Sequence, residues 1–309
     1  MTSRLSQKGL KYTSTAFQIN MSNPGMIIEE RSRDIGDFLV GRLLPFRKKR
    51  MVGPFIFIDH MGPSIIKSGS YMDIDPHPHI GLSTLTYLFQ GEILHRDSIG
   101  SEQVVKPGDA NLMTAGNGVS HTERTPPENR NGKEHTLHGY QVWIALPKDK
   151  EEMPPEFHHL PAAQLPKWQE NGLSYKLITG AFKAFKSPVP AQSPQYMLDV
   201  EALESTTFDL KPFFGETGIV LVKGELEACG ENVQAGSMLI AKHEEGCVVH
   251  LKKGSHILVF GGEPLPEERH IYWNFVATDK SKIEKAKERW KNHEFPEVVN
   301  DSGYIPLPS

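Results

Sequence analysis

The sequence predicts an all-β protein built from two β-barrels, followed by a short C-terminal α-helix. Glycine (27) and proline (23) are plentiful among the 309 residues, and the segments between them are short. A strand, turn, strand, glycine-turn pattern also occurs once in each half of the chain. Such frequent punctuation favours an all-β sandwich or barrel over a helical protein, and the chain is long enough for two separate cores.

The first half is a series of strand candidates separated by glycine and proline turns. Residues 1–25 are polar, show no periodicity and are expected to be an extension whose composition is compatible with disorder. The strand candidates that follow are residues 26–28, 38–40, 55–60, 84–89, 92–97, 103–105, 110–113 and 139–147. We therefore assign residues 26–150 to an N-terminal barrel.

Residues 151–170 are rich in proline and are predicted to be a linker. Residues 171–309 are assigned to a second barrel, in which Gly224 and Gly236 stand where Gly91 and Gly108 stand in the first.

One amphipathic helix is predicted over residues 279–292 of the second half. Ser281-Lys282-Ile283-Glu284 has the form of a capping box, and the apolar positions Ile283, Ala286 and Trp290 recur three or four residues apart. The simplest place for the apolar face of this helix is the outside of a barrel.

Charge and cysteine content exclude several classes of function. The net charge is −4 with both signs interspersed, which disfavours direct binding of nucleic acid or of a membrane surface. No apolar run approaches the roughly 18–20 residues of a membrane span. Only Cys229 and Cys247 occur, which indicates a reducing compartment without a disulfide framework. We expect a cytoplasmic monomer.

Two short motifs carry the candidate chemistry: His77-Pro78-His79 and His121-Thr122-Glu123. Side chains at i and i+2 of a strand point to the same face, so each motif presents two metal-binding groups in one direction. A single His-x-His motif is weak support among 14 histidines. The second motif follows closely spaced glycines and a matching strand pattern, and the two together predict one mononuclear site.

The second barrel lacks an equivalent set of ligands. Aligning its repeat with the first places four other residues at the ligand positions: Leu210, Pro212, Val249 and Leu251. We expect this barrel to bind no metal.

Longer runs around these motifs resemble the pirin family of the cupin superfamily. They are His77-Pro78-His79-Ile80-Gly81, Thr86-Tyr87-Leu88-Phe89-Gln90-Gly91, Pro107-Gly108-Asp109, Met113 to Glu123, His138 to Trp143, Gly261 to Leu265 and Tyr272 to Phe275. The resemblance spans about residues 26–308. It implies a bicupin of two jelly-roll barrels, with one Fe or similar ion in the N-terminal barrel held by His77, His79, His121 and Glu123.

The resemblance implies two classes of function. Pirins include proteins similar to quercetin 2,3-dioxygenases, so the first expectation is a dioxygenase that cleaves a flavonol or related enol or catechol substrate with O₂. Glu123 is its expected catalytic base, and one divalent transition metal is its cofactor. Fe(II) is the expected ion, with Mn, Ni, Cu and Zn open because affinity order does not separate them.

Other pirins are described as metal-dependent regulators, so the alternative is a non-enzymatic metal or redox sensor that binds a protein partner. A further rival, a sugar isomerase or other cupin metalloenzyme, would need polar groups inside the barrel, where the strands offer mainly apolar ones. Access to the ion distinguishes the two main hypotheses: a dioxygenase needs an open pocket beside the ion, whereas a sensor can keep the ion enclosed. The residues expected to orient the ligands are Asp59, His60, Asn111, Thr114 and Gln141.

The pattern also departs from the general cupin motif after His79. Ser83 stands where some pirins have a glutamate, which removes a second acidic group from near the site.

Overall fold

Twenty-five strands and one α-helix form the described part of the chain, which comprises residues 25–34, 38–241 and 248–308 in a computed structural model. The strands of the first half are β1 (Met26–Ile28), β2 (Arg31–Asp34), β3 (Leu39–Leu44), β4 (Phe55–Ile66), β5 (Asp73–His79), β6 (Leu82–Gln90), β7 (Ile93–Asp97), β8 (Glu102–Val105), β9 (Ala110–Thr114), β10 (Val119–Arg124) and β11 (His135–Ala145). The later elements are β12 (Glu156–Leu160), β13 (Lys167–Glu170), β14 (Leu173–Phe182), β15 (Phe185–Lys186), β16 (Gln195–Ala202), β17 (Thr206–Phe208), β18 (Glu216–Lys223), β19 (Leu226–Ala228), β20 (Glu231–Val233), β21 (Met238–Ala241), β22 (Val249–Leu251), β23 (His256–Gly262), β24 (His270–Tyr272), β25 (Phe275–Ala277) and α1 (Lys280–Lys291).

Each half of the chain forms one large sheet and one small sheet. In the first half a seven-stranded sheet, β12-β9-β6-β11-β4-β3-β2, accompanies a four-stranded sheet, β5-β10-β7-β8. In the second half an eight-stranded sheet, β1-β21-β18-β23-β16-β14-β13 with β15 beside β14, accompanies the four-stranded sheet β17-β22-β19-β20. The predicted all-β bicupin with a C-terminal helix is confirmed.

The two large sheets pack against each other through a shared apolar layer. One cluster of buried side chains draws on both halves and includes Leu85, Tyr87, Tyr140, Val142, Ile178, Met197, Val220, Leu258 and Phe260. A second cluster fills the second barrel, and it contains Leu210, Val249 and Leu251, three of the positions that correspond to the ligands of the first. The interior of the second barrel at these positions is therefore apolar.

One strand of the first half belongs to a sheet of the second half. β1 lies in the large sheet of the second half, where Met26 pairs with Ile240 and Ile28 with Met238. Two strands also lie in the proline-rich segment that the sequence suggests is a linker: β12 extends the first large sheet beside β9, and β13 extends the second beside β14. Prolines can flank these short strands, because an edge strand tolerates the absence of a backbone N–H donor at its ends.

Helix α1 begins and ends within one residue of the prediction. Its N-cap differs from the expected capping box, because the Asp279 carboxylate accepts a 2.8 Å hydrogen bond from the Ser281 backbone N–H. Its apolar face packs against Ile80 and Phe275, so the last helix of the chain contacts the first barrel. No helix within the described ranges is long and apolar enough to cross a membrane.

The cysteine content indicates a reducing environment and no disulfide framework, but Cys229, between β19 and β20, is disulfide-bonded. Cys247 lies outside the described residues.

A polar cluster at the interface links the two large sheets. The Tyr87 hydroxyl of β6 donates a 2.6 Å hydrogen bond to Asp199 of β16, and His256 of β23 contacts the other carboxylate oxygen. Burial alone would raise the pKa of Asp199, but the hydrogen bonds from His256 and Tyr87 and the charge of Lys176 outweigh burial and hold that pKa below its ordinary value. The charged form of Asp199 therefore stabilises the interface.

Asp199→Asn should lower the free energy of unfolding by about 2 kcal/mol at pH 7, the usual scale for hydrogen bonds to a charged group. Because the pKa of Asp199 is depressed in the folded state, its contribution is present above the unfolded pKa of about 4 and is lost as the pH falls through the lower folded value. Urea denaturation at pH 7 and near pH 3 should show the difference between wild type and variant shrinking in acid. A difference that is the same at both pH values would contradict this account.

Candidate metal centre

Two adjacent strands of the small sheet carry the predicted ligands. β5 and β10 are antiparallel, and His77 lies directly opposite His121. The turn before β10 requires glycine, because Gly116 has φ +52° and a Cβ there would lie 1.9 Å from the Met153 carbonyl oxygen. All four predicted ligands are buried, with exposed fractions of 8% for His77, 1% for His79, 0% for His121 and 7% for Glu123.

The structure brings the three histidines together. One ring nitrogen of each lies within 4.8 Å of those of the others, and the Nε2 atoms of His79 and His121 are 3.1 Å apart. Burial lowers the pKa of His77 to about 4, and burial together with neighbouring histidines holds the pKa values of His79 and His121 well below the ordinary range. The imidazoles are therefore neutral, which is the form that binds metal ions.

Glu123 follows His121 by two residues on β10 but is not part of the 4.8 Å cluster, so the structure groups three of the four predicted ligands. Its Oε1 accepts a 2.8 Å hydrogen bond from Nε2 of Gln141, and the Thr86 hydroxyl donates to Oε1 of Gln141 at 2.7 Å, which fixes the orientation of the amide. Burial raises the pKa of Glu123 to about 7, and the Gln141 hydrogen bond opposes burial only in part.

These residues fit a divalent transition metal. Three buried neutral imidazoles converge beside a buried carboxyl group that has a single neutral donor, Gln141, among the described residues. Nitrogen and oxygen donors without a thiolate suit Fe, Mn, Ni, Cu or Zn.

His95 of β7 lies behind His121 and was not predicted. The Nδ1 atoms of the two rings are 3.5 Å apart, and His95 Nε2 is 3.1 Å from the Asp97 carboxylate. When His95 is neutral, the Asp97 carboxylate accepts a hydrogen bond from its Nε2–H, so the ring proton stays on Nε2. His95 Nδ1 is then an acceptor, and His121 Nδ1 donates the hydrogen bond to it. The Nε2 lone pair of His121 is then directed at the other two histidines. The His95-Arg96-Asp97 motif has the same i, i+2 spacing as the ligand motifs and could have revealed it.

Of the five residues expected to orient ligands, Gln141 contacts Glu123. Its cross-strand neighbour Asp59 forms a two-pronged ion pair with Arg42, with both N–O distances 2.8 Å. Two of the remaining three make other contacts, Thr114 with Ser83 and His60 with Glu30 and His138. The buried Oδ1 of the third, Asn111, has no hydrogen-bond partner among the described residues.

Comparisons with known proteins agree with this architecture. The Pirin family model matches residues 38–144, and the model described as Pirin C-terminal cupin domain matches residues 197–296. A "Pirin-like protein" of Caulobacter vibrioides is 42% identical over 92% of this chain and 99% of its own length. A "Putative quercetin 2,3-dioxygenase" of Pseudomonas aeruginosa is 38% identical over 85% of this chain and 82% of its own. A crystal structure of a quercetin 2,3-dioxygenase from Acinetobacter baumannii has 36% identity and a TM-score of 0.84, over 92% of this chain and 95% of its own.

Replacing His79 or His121 by Ala should remove most bound metal, because each change deletes one of three converging nitrogens. His158→Ala is the control, since His158 is partly exposed on β12 and pairs with Glu156. Elemental analysis of the purified variants measures the metal content. Equal stoichiometry in all three would contradict the assignment.

His95→Phe should keep the ring stacked on Phe157 while removing the acceptor for His121 Nδ1. We expect Co²⁺ affinity to fall about 10- to 100-fold, the usual effect of losing a group that orients a metal ligand. Chelator competition measures the affinity. The control is His60→Phe, a buried histidine that contacts Glu30 and His138 instead. If both variants bind Co²⁺ as the wild type does, His95 has no role at the site.

Proposed function

Because the chain belongs to the pirin family, we propose that it is a mononuclear metal enzyme that uses O₂ to cleave a flavonol or a related enol or catechol. The observation that carries the proposal is the convergence of three buried neutral imidazoles beside a buried carboxyl group. The names of the Pseudomonas and Acinetobacter relatives support the choice of substrate class.

His77, His79 and His121 would hold the ion through ring nitrogens, and Glu123 would complete the set through a carboxylate oxygen. Fe(II) is the ion we propose for this ligand set, with Mn, Ni, Cu and Zn as the other candidates. When bound, such an ion supplies Lewis acidity toward the vicinal oxygens of a substrate.

Glu123 is proposed to act also as the catalytic base. Its Oε1 is held by Gln141, whereas its Oε2 accepts no hydrogen bond from the described residues. The free oxygen is thus the atom that would accept a proton from a substrate hydroxyl. Gln141, fixed by Thr86, would keep the carboxylate oriented while the proton moves.

An aromatic wall beside the histidines suits a planar substrate. The Trp143 ring meets His79 edge-on with centroids 5.1 Å apart, and it stacks on Phe57 at 3.9 Å with an interplanar angle of 13°. Aromatic faces attract planar rings by offset or edge-to-face contacts. These two side chains would bind the ring system and exclude water from the reacting atoms.

A second candidate function is a metal-dependent regulator that binds a protein partner. One observation favours it: no predicted ligand is more than 8% exposed. A closed site of this kind suits a sensor, whereas an oxygenase must open to admit its substrate. Oxygen consumption by the metal-loaded protein separates the two.

Glu123→Gln keeps the size of the side chain and one oxygen donor but removes its basicity. Metal-loaded variant protein should retain part of the metal and lose about 10²-fold or more in flavonol-dependent O₂ uptake, the scale expected for a positioned general base. An oxygen electrode and elemental analysis measure the two quantities, with Glu156→Gln on the partly exposed strand β12 as the control.

Unchanged O₂ uptake in metal-loaded Glu123→Gln would show that Glu123 is a metal ligand only and not the catalytic base. If wild-type protein loaded in turn with each candidate metal consumes no O₂ with any flavonol or catechol, the regulator becomes the better assignment.

A further inference from the structure

The end of the chain lies against the outer face of the strand that carries His121 and Glu123. We call residues 301–305 the C-terminal strap. The Asp301 carboxylate, only 5% exposed, accepts hydrogen bonds from the Thr122 hydroxyl at 3.1 Å and from two guanidinium nitrogens of Arg124 at 2.7 and 2.6 Å. Side chains alternate along a strand, so Thr122 and Arg124 point outward on either side of inward-pointing Glu123.

The same strap contacts the strand that carries His77 and His79. The Ile305 backbone N–H donates to the Pro76 carbonyl at 3.1 Å, and Pro76 immediately precedes His77. Arg124 also donates to Asp75 at 2.9 Å, which ties β5 and β10 together beside the strap. Gly303 has φ +134°, and a Cβ there would lie about 3 Å from Asp75 and Pro76. The strap therefore lies closely against both ligand strands.

Helix α1 fixes the strap from the other side. The Trp290 indole N–H donates to the Ile305 carbonyl at 2.9 Å, and the Tyr304 ring stacks on Trp290 with centroids 4.6 Å apart. The Tyr304 hydroxyl donates to the Trp290 carbonyl at 3.2 Å. The strap is held by the buried tryptophan of a packed helix, so its position relative to the strands that it contacts is fixed.

The ladder between β5 and β10 is irregular where the strap acts. Its register shifts between His121 and Glu123, so that Glu123 lies opposite Ile74 while His121 lies opposite His77. The extra residue lies on β5, where Asp75 and Pro76 together oppose Thr122, and a bulge of this kind interrupts the ladder and bends the strand that carries it. Asp301 contacts Thr122, which lies opposite this bulge, and the bulged segment of β5 is itself held by Arg124 at Asp75 and by the Ile305 backbone at Pro76.

We propose that Asp301 is a positioning residue for the metal centre, and that docking of the C-terminal strap and metal binding are coupled. The inference rests on the proposed metal centre. Asp301 holds Arg124 of β10, which also contacts Asp75 of β5. In this way Asp301 sets the distance between the His77/His79 pair and the His121/Glu123 pair. Coupling of binding free energies is reciprocal, so a metal ion must stabilise the docked strap as much as the strap favours the ion.

Asp301→Asn in the full chain is the first test, with Co²⁺ as the probe. Affinity measured by chelator competition should fall about 10-fold, within the usual range of coupling between sites. The visible absorption of bound Co²⁺ should change, because the ligand geometry changes. Asp199→Asn is the matched control: it alters a buried carboxylate with several donors at the interface between the large sheets, so it should lower stability and leave both readouts unchanged.

Thr122→Val is a milder variant for the case in which Asp301→Asn does not fold. It removes one hydrogen bond to Asp301 and keeps the shape of the side chain. We expect a loss of Co²⁺ affinity of about 3- to 5-fold, from a hydrogen bond worth about 1 kcal/mol.

The reciprocal effect is measured on wild-type protein with a metal-independent carboxypeptidase. Saturating Co²⁺ should slow removal of the C-terminal residues about as much as Asp301→Asn weakens Co²⁺ binding. Folded Asp301→Asn that binds Co²⁺ with wild-type affinity and spectrum would overturn the proposal while leaving the metal centre intact. Wild-type protein that binds no Co²⁺ would overturn the metal centre itself.

Discussion

The packing of the two large sheets against each other is the constraint on which the rest of the structure depends. Tyr140 and Val142 of β11 belong to the apolar layer between the sheets. Because side chains alternate along a strand, burying these two residues in that layer forces Gln141 and Trp143 into the interior of the first barrel. There Gln141 reaches Glu123 and Trp143 reaches His79. The interface between the halves thus sets the register of the strand that forms one wall of the metal centre.

Burial has opposite effects on the two kinds of candidate ligand at this site. It keeps His77, His79 and His121 neutral, so their nitrogen lone pairs are free for a cation. It also disfavours the charge on Glu123, whose only donor among the described residues is the neutral Gln141. Two further residues contact β10 at this site: His95 lies beside the His121 ring, and Asp301 contacts Thr122 on the outer face, opposite the bulge of β5.

The sequence predicted the features that depend on local periodicity. The i, i+2 spacing placed His77 and His79 on one face, and the structure shows them converging with His121. Helix α1 followed from apolar spacing, and the strand candidates followed from short apolar runs between turns. The same spacing was present in His95-Arg96-Asp97, but a sequence pattern does not reveal that β7 lies beside β10. Which strands are neighbours depends on long-range packing.

The features that the sequence could not predict are those that join distant segments. Asp301 meets Thr122 across 179 positions, and no local rule connects them. The N-cap of α1 is Asp279 and not the expected Ser281. The Asp279 carboxylate, two residues earlier, accepts the hydrogen bond of the free Ser281 backbone N–H. Glu123 lies outside the cluster of three histidine nitrogens, a separation that the i, i+2 spacing of His121 and Glu123 does not reveal.

The pairing of β1 with β21 has a consequence for the order in which the protein forms during translation. Met26 to Ile28 leave the ribosome among the first described residues, but their partners, Met238 to Ile240, are made some two hundred residues later. At the roughly 5–20 residues per second typical of synthesis, β1 waits ten seconds or more without its neighbour. The N-terminal barrel also lacks its contact with α1 until residues 280–291 have been made. The native pairing of β1 therefore becomes possible only after β21 of the second half has been made.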